Sequence, residues 1–483
     1  MADQFDDRDD WSRFGGGVTM IEWKGQRVLI VGAARQGMAL ARFFANHGAQ
    51  VVLNDRRSAK ELSEAQAALV DVPLKWVLGG HPLGILDQVD WVCPSGGVPL
   101  ELPLIVEALA RRIPLANDSQ VFLEHAPCKV IGITGSAGKT TTTTLVGRMA
   151  DAACELQPAT FNRAWIGGNI GNPLIADVDN MNANDIAVME LSSFQLDVMT
   201  RSPQVAAVLN ITPNHLDRHG NMRAYTAAKA RILKYQTPED VAVLGRDDPG
   251  AWGLADSLRG DCISFGRARP PEGLAGVFLH GAWIRFWDGE FAHDLLPREL
   301  IHLRGEHNLE NVLAACAIAA AAGIPPAAMR AAVDGFAGVS HRLEFVRTWR
   351  GADWYNDSIA TAPERALAAL NAFDEPLVLL AGGRDKNLPW DVFAEIVRQR
   401  VDHLVLFGEA AALIRQAVEA AGPAERPFSL HECNGLQAAL EVAAEVAAPG
   451  DVVLLSPGGT SFDEFKDFSE RGVCFRAWLN QQV

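Results

Sequence analysis

The chain has 483 residues, more than one hydrophobic core normally organises, so two to four domains are expected. Hydrophobic residues make up 48% and charged residues 21%, an ordinary globular composition. The formal net charge of −16 works against attraction to a phosphate backbone, which excludes nucleic acid as the natural partner.

Residues 1–19 are acidic and polar and read as a disordered leader rather than a signal peptide. The first strand is predicted over Val28–Val31. It runs into Gly32-Ala-Ala-Arg35-Gln-Gly37, a glycine turn opening a helix, and a second strand, Val51–Leu53, leads to Asp55 and Arg56. Alone, this reads as a dinucleotide site, but Ala34 stands where the fingerprint needs its middle glycine, so a nicotinamide site is the minor reading. A strand over Val89–Val92 follows.

The most specific pattern comes next. The strand Val130–Ile133 leads into Gly132-Ile-Thr-Gly135-Ser136-Ala137-Gly138-Lys139-Thr140-Thr141, and a helix is predicted over Thr140–Ala150. Glycines let backbone N–H groups turn inward around phosphate oxygens, and the helix N-terminus adds its positive end. Lys139 would reach the β- and γ-phosphates, and the Thr140 hydroxyl would meet Mg²⁺.

Past the strand Ile186–Met189, Glu190 is a candidate for the same Mg²⁺. The strand Val205–Leu209 ends in Asn210-Ile-Thr-Pro-Asn-His215-Leu-Asp-Arg-His, in which His215 is a candidate ligand for a second metal. Lys229 follows in Tyr225-Thr-Ala-Ala-Lys229 and by itself reads as a helix-surface lysine. After Val241–Leu244, residues 262–304 suggest a small antiparallel patch. The apolar run Val312–Ile324 is too short to span a bilayer and reads as a buried helix. The last strands are predicted over Leu377–Ala381, Leu404–Phe407 and Val452–Leu455. Thr361, in Thr-Ala-Pro-Glu364, has a capping-box pattern, and Lys386, in Gly382-Gly-Arg-Asp-Lys386, suits a substrate carboxylate. Seven scattered cysteines without a C-x-x-C point to reduced thiols in a cytoplasm.

Alternating strands and helices predict an α/β fold with parallel sheets. The limits expected are 20–117, 118–337 and 338–483.

The ordered set G-x-x-G-x-x-G-K-T-T, E-L-S-S-F-Q, N-x-T-x-x-H-L-D-R-H, Y-x-x-A-K-x-R-I, G-E-H-N-L-E-N, H-R-L-E, N-D-S and S-F-D-E-F-K-D-F-S-E-R-G resembles the Mur ligases, most closely the glutamate-adding MurD-type branch, over about residues 20–480. The resemblance implies a Rossmann-like UDP-binding domain, a central P-loop ATPase-type domain with a mostly parallel sheet, and a C-terminal Rossmann-like glutamate-binding domain. It implies a monomeric cytoplasmic ligase of peptidoglycan precursor synthesis, without membrane insertion. That enzyme joins glutamate, with the D form favoured, to UDP-N-acetylmuramoyl-L-alanine through an acyl phosphate. ATP and two Mg²⁺ are implied, as is a CO₂-derived carbamate on Lys229 that with His215 holds the second Mg²⁺.

By the same resemblance, ATP meets residues 135–141 with Asn308, Asn311, Arg342 and Asp357. The UDP substrate meets Gly32, Arg35, Gly37, Asp55, Arg56 and Asn169. Glutamate meets Thr361, Lys386, Ser461 and Phe468. Two departures stand out: Ile359 and Ala362 replace the family's usual lysine and asparagine, and Ser95-Gly-Gly97 carries one residue more than the usual S-P-G-V. L-Glutamate, another Mur-type or folylpolyglutamate-type ligase, a nicotinamide oxidoreductase and a non-catalytic ATP-binding protein are the competing readings.

Overall fold

Each of the three glycine-bearing turns follows a strand at which its sheet reverses strand order. The computed structural model describes residues 22–423 and 426–482; the predicted leader, 1–19, lies outside the described residues. Among the described residues the strands form three sheets.

The first contains β1 (Arg27–Val31), β2 (Gln50–Asp55), β3 (Leu74–Leu78) and β4 (Trp91–Pro94), all parallel, in the order β3-β2-β1-β4. The second contains β5 (Lys129–Thr134), β6 (Ala164–Gly168), β7 (Ile186–Glu190), β8 (Val205–Val208), β9 (Val241–Gly245), β10 (Asp261–Phe265), β11 (Ala275–His280), β12 (Trp283–Trp287) and β13 (Ala292–Pro297). Its order is β13-β12-β11-β10-β9-β8-β5-β7-β6, parallel from β6 to β11 and antiparallel beyond. The third contains β14 (Glu344–Trp349), β15 (Ala352–Asn356), β16 (Leu377–Gly382), β17 (Val401–Phe407), β18 (Ser429–Cys433) and β19 (Val452–Gly458). Its order is β14-β15-β19-β16-β17-β18, parallel except for the β14/β15 pair.

The reversal strands are therefore β1, β5 and β16. Ligands of open α/β sheets bind at such points, because the connections on either side diverge and leave a crevice at the strand ends. These strands read as continuous apolar runs because helices cover both faces, and Val28–Val31 and Leu377–Ala381 are fully buried.

The first two sheets belong to one compact unit, reaching to Arg298 and taking in Glu310–Val333. The other unit is Glu299–Leu309 with residues from Asp334 on. Within the first unit, Trp23, Phe43 and Phe44 share a core with Ile175, Val178 and Met181, which ties its two sheets together.

Two expectations need correction. The fourth strand starts at Trp91, and Val89 follows a 3₁₀ turn over Leu83–Gln88. Glu190 is the last residue of β7 rather than just beyond it. The antiparallel patch expected over 262–304 is present as β11–β13, and because β10 pairs parallel with β9 it continues the central sheet. No helix among the described residues is long and apolar enough to cross a membrane, and the run from Val312 is buried in the helix Glu306–Ala322.

Candidate active site

The loop after β5 is held from outside by the segment that follows β8. Ser136 N–H donates to Asn210 O at 3.0 Å, Ala137 N–H donates to Asn210 Oδ1 at 2.8 Å, and Ser136 Oγ donates to Thr212 O at 2.9 Å. Gly138 has φ +79°, and a Cβ there would collide with Asn311 Oδ1, so only glycine fits. A Cβ on Gly135 would come within 2.9 Å of Leu209. The helix Lys139–Leu156 starts at once, with Thr141 buried in its first turn. Lys139 Nζ donates to Gly135 O at 2.8 Å, over the loop.

Glu190 is 1% exposed and bracketed on both oxygens: Thr140 Oγ1 donates to Oε2 at 2.9 Å and Asn169 Nδ2 to Oε1 at 2.8 Å. Asn169 N–H also donates to Glu190 O at 2.9 Å. A buried carboxylate beside a hydroxyl at a helix N-terminus is a set of hard oxygen donors, which suits Mg²⁺ and a triphosphate. Asn169, expected at the sugar-nucleotide, thus joins the Glu190 cluster.

Lys229 is not the surface lysine its position suggests. It is 1% exposed, on the inward face of the helix Met222–Lys234. Its Nζ donates to Gly135 O at 2.8 Å and to Thr134 Oγ1 at 3.4 Å. Burial first, then the nearby Lys139 charge, pushes its pKa down to about 6, with Glu190 opposing.

Tyr225, one helical turn earlier, joins the site as well. Its hydroxyl is 3.1 Å from Ser136 Oγ, and its ring lies 4.8 Å from Lys229 Nζ. The i,i+4 spacing to Lys229 was the available signal. His215 is exposed with φ +52°, and its ring meets Phe194 at 5.2 Å. Phe194 stacks on His219, which packs against Tyr225, so an aromatic chain links His215 to Lys229.

In the first sheet, Gly32 (φ +102°) donates its N–H to Asn54 O at 2.7 Å, and a Cβ on Gly37 would collide with Gly32 O. Asp55 is buried, accepts from Ala33 N–H at 2.8 Å and is held bidentately by Arg57 (3.0 and 2.8 Å). These bonds hold its carboxyl far below the usual range against the cost of burial. The arginine that pairs with it is Arg57, while Arg56 is exposed. Arg35 Nη1 donates to Gly171 O at 2.9 Å, bringing this turn to the loop that carries Asn169.

In the second unit, Asn308 Nδ2 donates to Arg304 O at 2.7 Å. Asp357 is buried, accepts from Ser456 Oγ at 2.7 Å and Leu343 N–H at 3.2 Å, and lies in the field of Arg342. Burial pushes its pKa up to about 7.

Lys386 Nζ donates to Thr361 Oγ1 at 3.4 Å, so these two expected acceptor residues meet. The capping-box expectation fails: Pro363 occupies the first turn of the helix Pro363–Leu370, the N-cap is Ala362, and no side chain caps it. Ser461 is 2% exposed, its carbonyl accepting from Phe465 N–H, and the Phe468 carbonyl accepts from Ser358 Oγ at 2.8 Å.

Residues 26–117 match the Mur ligase MurD-like N-terminal domain, 133–319 the Mur ligase middle domain, and 341–459 the Mur ligase glutamate ligase domain. The chain is 40% identical over 455 residues to a UDP-N-acetylmuramoylalanine–D-glutamate ligase of Symbiobacterium thermophilum, covering 94% of this chain and 97% of that one. It is 39% identical over 459 residues to the enzyme so named in Acidobacterium capsulatum, covering 94% and 96%. Among solved structures, the UDP-N-acetylmuramate-alanine ligase MurC of Thermotoga maritima superposes with a TM-score of 0.55 at 18% identity, covering 95% of this chain and 100% of that one. MurF of Acinetobacter baumannii gives 0.55 at 18%, covering 93% of each chain. The two structures speak to fold alone; the sequence likeness, carried through nearly the whole length, places the chain in the Mur ligase family.

Proposed function

We propose that this chain joins D-glutamate to UDP-N-acetylmuramoyl-L-alanine at the expense of ATP, in cytoplasmic peptidoglycan precursor synthesis. The observation that carries this reading is identity of 36–40% to proteins named for that reaction, along nearly the full chain. The clustering of Lys139, Thr140, Glu190 and Lys229 on one phosphate loop supplies its chemistry. The domain limits 20–117, 118–337 and 338–483, and a monomeric state, belong to the same proposal.

The alanyl carboxylate oxygen attacks the γ-phosphorus of ATP, the bond to the ADP oxygen breaks, and an acyl phosphate forms. The neutral amine of glutamate then attacks the acyl carbon, loses its proton, and expels phosphate. Lys139 offsets charge on the β- and γ-phosphate oxygens. Thr140 and Glu190 would hold Mg²⁺, which when bound neutralises charge on the phosphoryl oxygens.

Lys229, uncharged at neutral pH through burial, has a free lone pair for CO₂. The C–N bond forms, a proton leaves, and the resulting carboxylate, with His215, would take a second Mg²⁺. Asn308, Asn311, Arg342 and Asp357 serve ATP. Gly32, Arg35, Gly37, Asp55, Arg56 and Asn169 serve the UDP end. Thr361, Lys386, Ser461 and Phe468 serve glutamate, whose carboxylates Lys386 can pair.

Phosphate release with D- or L-glutamate tests the acceptor, since Ile359 and Ala362 remove a lysine and an asparagine beside it. Release that requires ATP, UDP-N-acetylmuramoyl-L-alanine and D-glutamate together is expected. Release driven by L-glutamate instead would transfer the reading to that acceptor.

A further inference from the structure

The second unit contains a buried cation that the reaction above leaves without a task. Arg471, in the first turn of the helix Phe468–Asn480, is fully buried. Its Nε donates to Ser358 Oγ at 3.0 Å, and its Nη2 donates to Ser358 O at 2.9 Å and Gly459 O at 3.2 Å. Ser358 Oγ donates onward to Phe468 O. Nη1 has no hydrogen-bond partner and lies 2.9 Å from the place a Cβ on Gly383 would take.

Those hydrogen bonds end on hydroxyl and carbonyl oxygens. Burial disfavours the charge, and only the fields of Asp463 and Glu464 oppose that cost; an apolar side chain of similar volume normally serves stability as well or better. Its neighbours explain its presence. Ser358 lies three residues before Thr361, Gly383 three before Lys386, and Gly459 two before Ser461. The guanidinium therefore adjoins all three strand-end loops that carry the acceptor candidates, while its own helix begins at the fourth, Phe468. Arg384 N–H and Thr460 N–H each donate to the other's carbonyl at 2.8 Å, so two of these loops are also zipped directly.

We propose that Arg471 is a positioning residue for the acceptor amino acid. It holds the three loops in register through its hydrogen bonds to Ser358 and Gly459. This rests on the acceptor assignment made above.

The test is steady-state kinetics of Arg471→Met, Arg471→Lys and Gly383→Ala, with Lys386→Ala in parallel, varying each substrate in turn. Misplaced loops cost binding of the acceptor alone, so Arg471→Met is expected to raise the KM for D-glutamate by up to about 100-fold. The KM values for ATP and for UDP-N-acetylmuramoyl-L-alanine should stay near wild type. Arg471→Lys should fall between, and Gly383→Ala should shift the same constant.

A parallel rise in all three KM values, or a fall in kcat with the glutamate KM unmoved, overturns the proposal, since a purely structural arginine would act that way. If Arg471→Met does not fold, Ser358→Ala removes the acceptor of the Nε bond at less risk, and an unchanged glutamate KM in it is equally contradictory. An unchanged glutamate KM in Lys386→Ala would instead overturn the acceptor site itself. A raised value there beside a normal Arg471→Met would overturn the positioning role alone.

Discussion

Lys139 and Lys229 donate to one and the same carbonyl oxygen, that of Gly135, each at 2.8 Å. Two amines meeting on one acceptor cannot both carry full charge cheaply. Burial disfavours the charge on Lys229 most, the Lys139 charge adds to it, and its pKa falls to about 6.

A neutral, buried amine beside a carboxylate is suited to take up CO₂. Removing CO₂ from the buffer should lower the ligation rate at pH 8, and bicarbonate should restore it. Lys229→Ala should lose about 10²–10³-fold in kcat, the scale for removing one charge-stabilising group. Formate or acetate should recover part of the loss by supplying the missing oxygens. A Lys229→Ala enzyme with wild-type kcat would remove the carbamate from the account.

Glu190 depends on Asn169 for one oxygen and on Thr140 for the other. Asn169→Ala leaves a buried carboxylate oxygen without its donor and frees its orientation. A Mg²⁺ titration of the ligation rate should show about 10–100-fold weaker metal dependence, the cost typical of losing a group that orients a ligand. An unchanged titration would mean that Glu190 is not oriented by Asn169.

Gly138→Ala places a Cβ at φ +79° against Asn311 Oδ1. The left-handed conformation alone costs about 1–2 kcal/mol for a residue with a Cβ. The collision adds a shift of the loop, so the KM for ATP should rise more than that for glutamate. Equal effects on all substrates would point to general unfolding.

Asp118 carries a pH dependence of stability. It is buried, with Oδ1 lacking a hydrogen-bond partner, and burial pushes its pKa up to about 7 against bonds from its own backbone, Ser119, Gln195 and Gln36. The unfolded value is about 3.9. Between those values the folded state binds more protons than the unfolded one, so this group lowers stability as pH rises from about 4 to 7, and the full cost remains above 7. Asp118→Asn should therefore gain in Tm relative to wild type at pH 8 compared with pH 4. A difference in Tm that does not change with pH would contradict this titration.

Much of the site was legible because its chemistry is local in sequence. The Gly132–Lys139 spacing after an apolar strand marks a turn of the kind that suits phosphate, and a carboxylate ending such a strand, as Glu190 does, lies at the carboxyl end of the sheet. Contacts that cross the chain were not legible. Asp55 accepts from Ala33 N–H, 22 residues back, and Thr361 meets Lys386, 25 residues on. Lys229 looked solvated because a lysine among alanines gives no sign of burial; Tyr225, one turn away, covers it. Among the strands not predicted, β3 and β18 lie at sheet edges, where residues such as Lys75 and His431 break the apolar run. Continuation of the central sheet into β10–β13 depends on long-range pairing, which periodicity does not encode.

The most direct test of the chemistry is oxygen transfer. UDP-N-acetylmuramoyl-L-alanine labelled with ¹⁸O in both alanyl carboxylate oxygens is turned over with ATP and D-glutamate, and the released phosphate is examined by mass spectrometry. One ¹⁸O per phosphate, with the other retained in the new amide, is the predicted result. Unlabelled phosphate would mean that the carboxylate never attacks ATP.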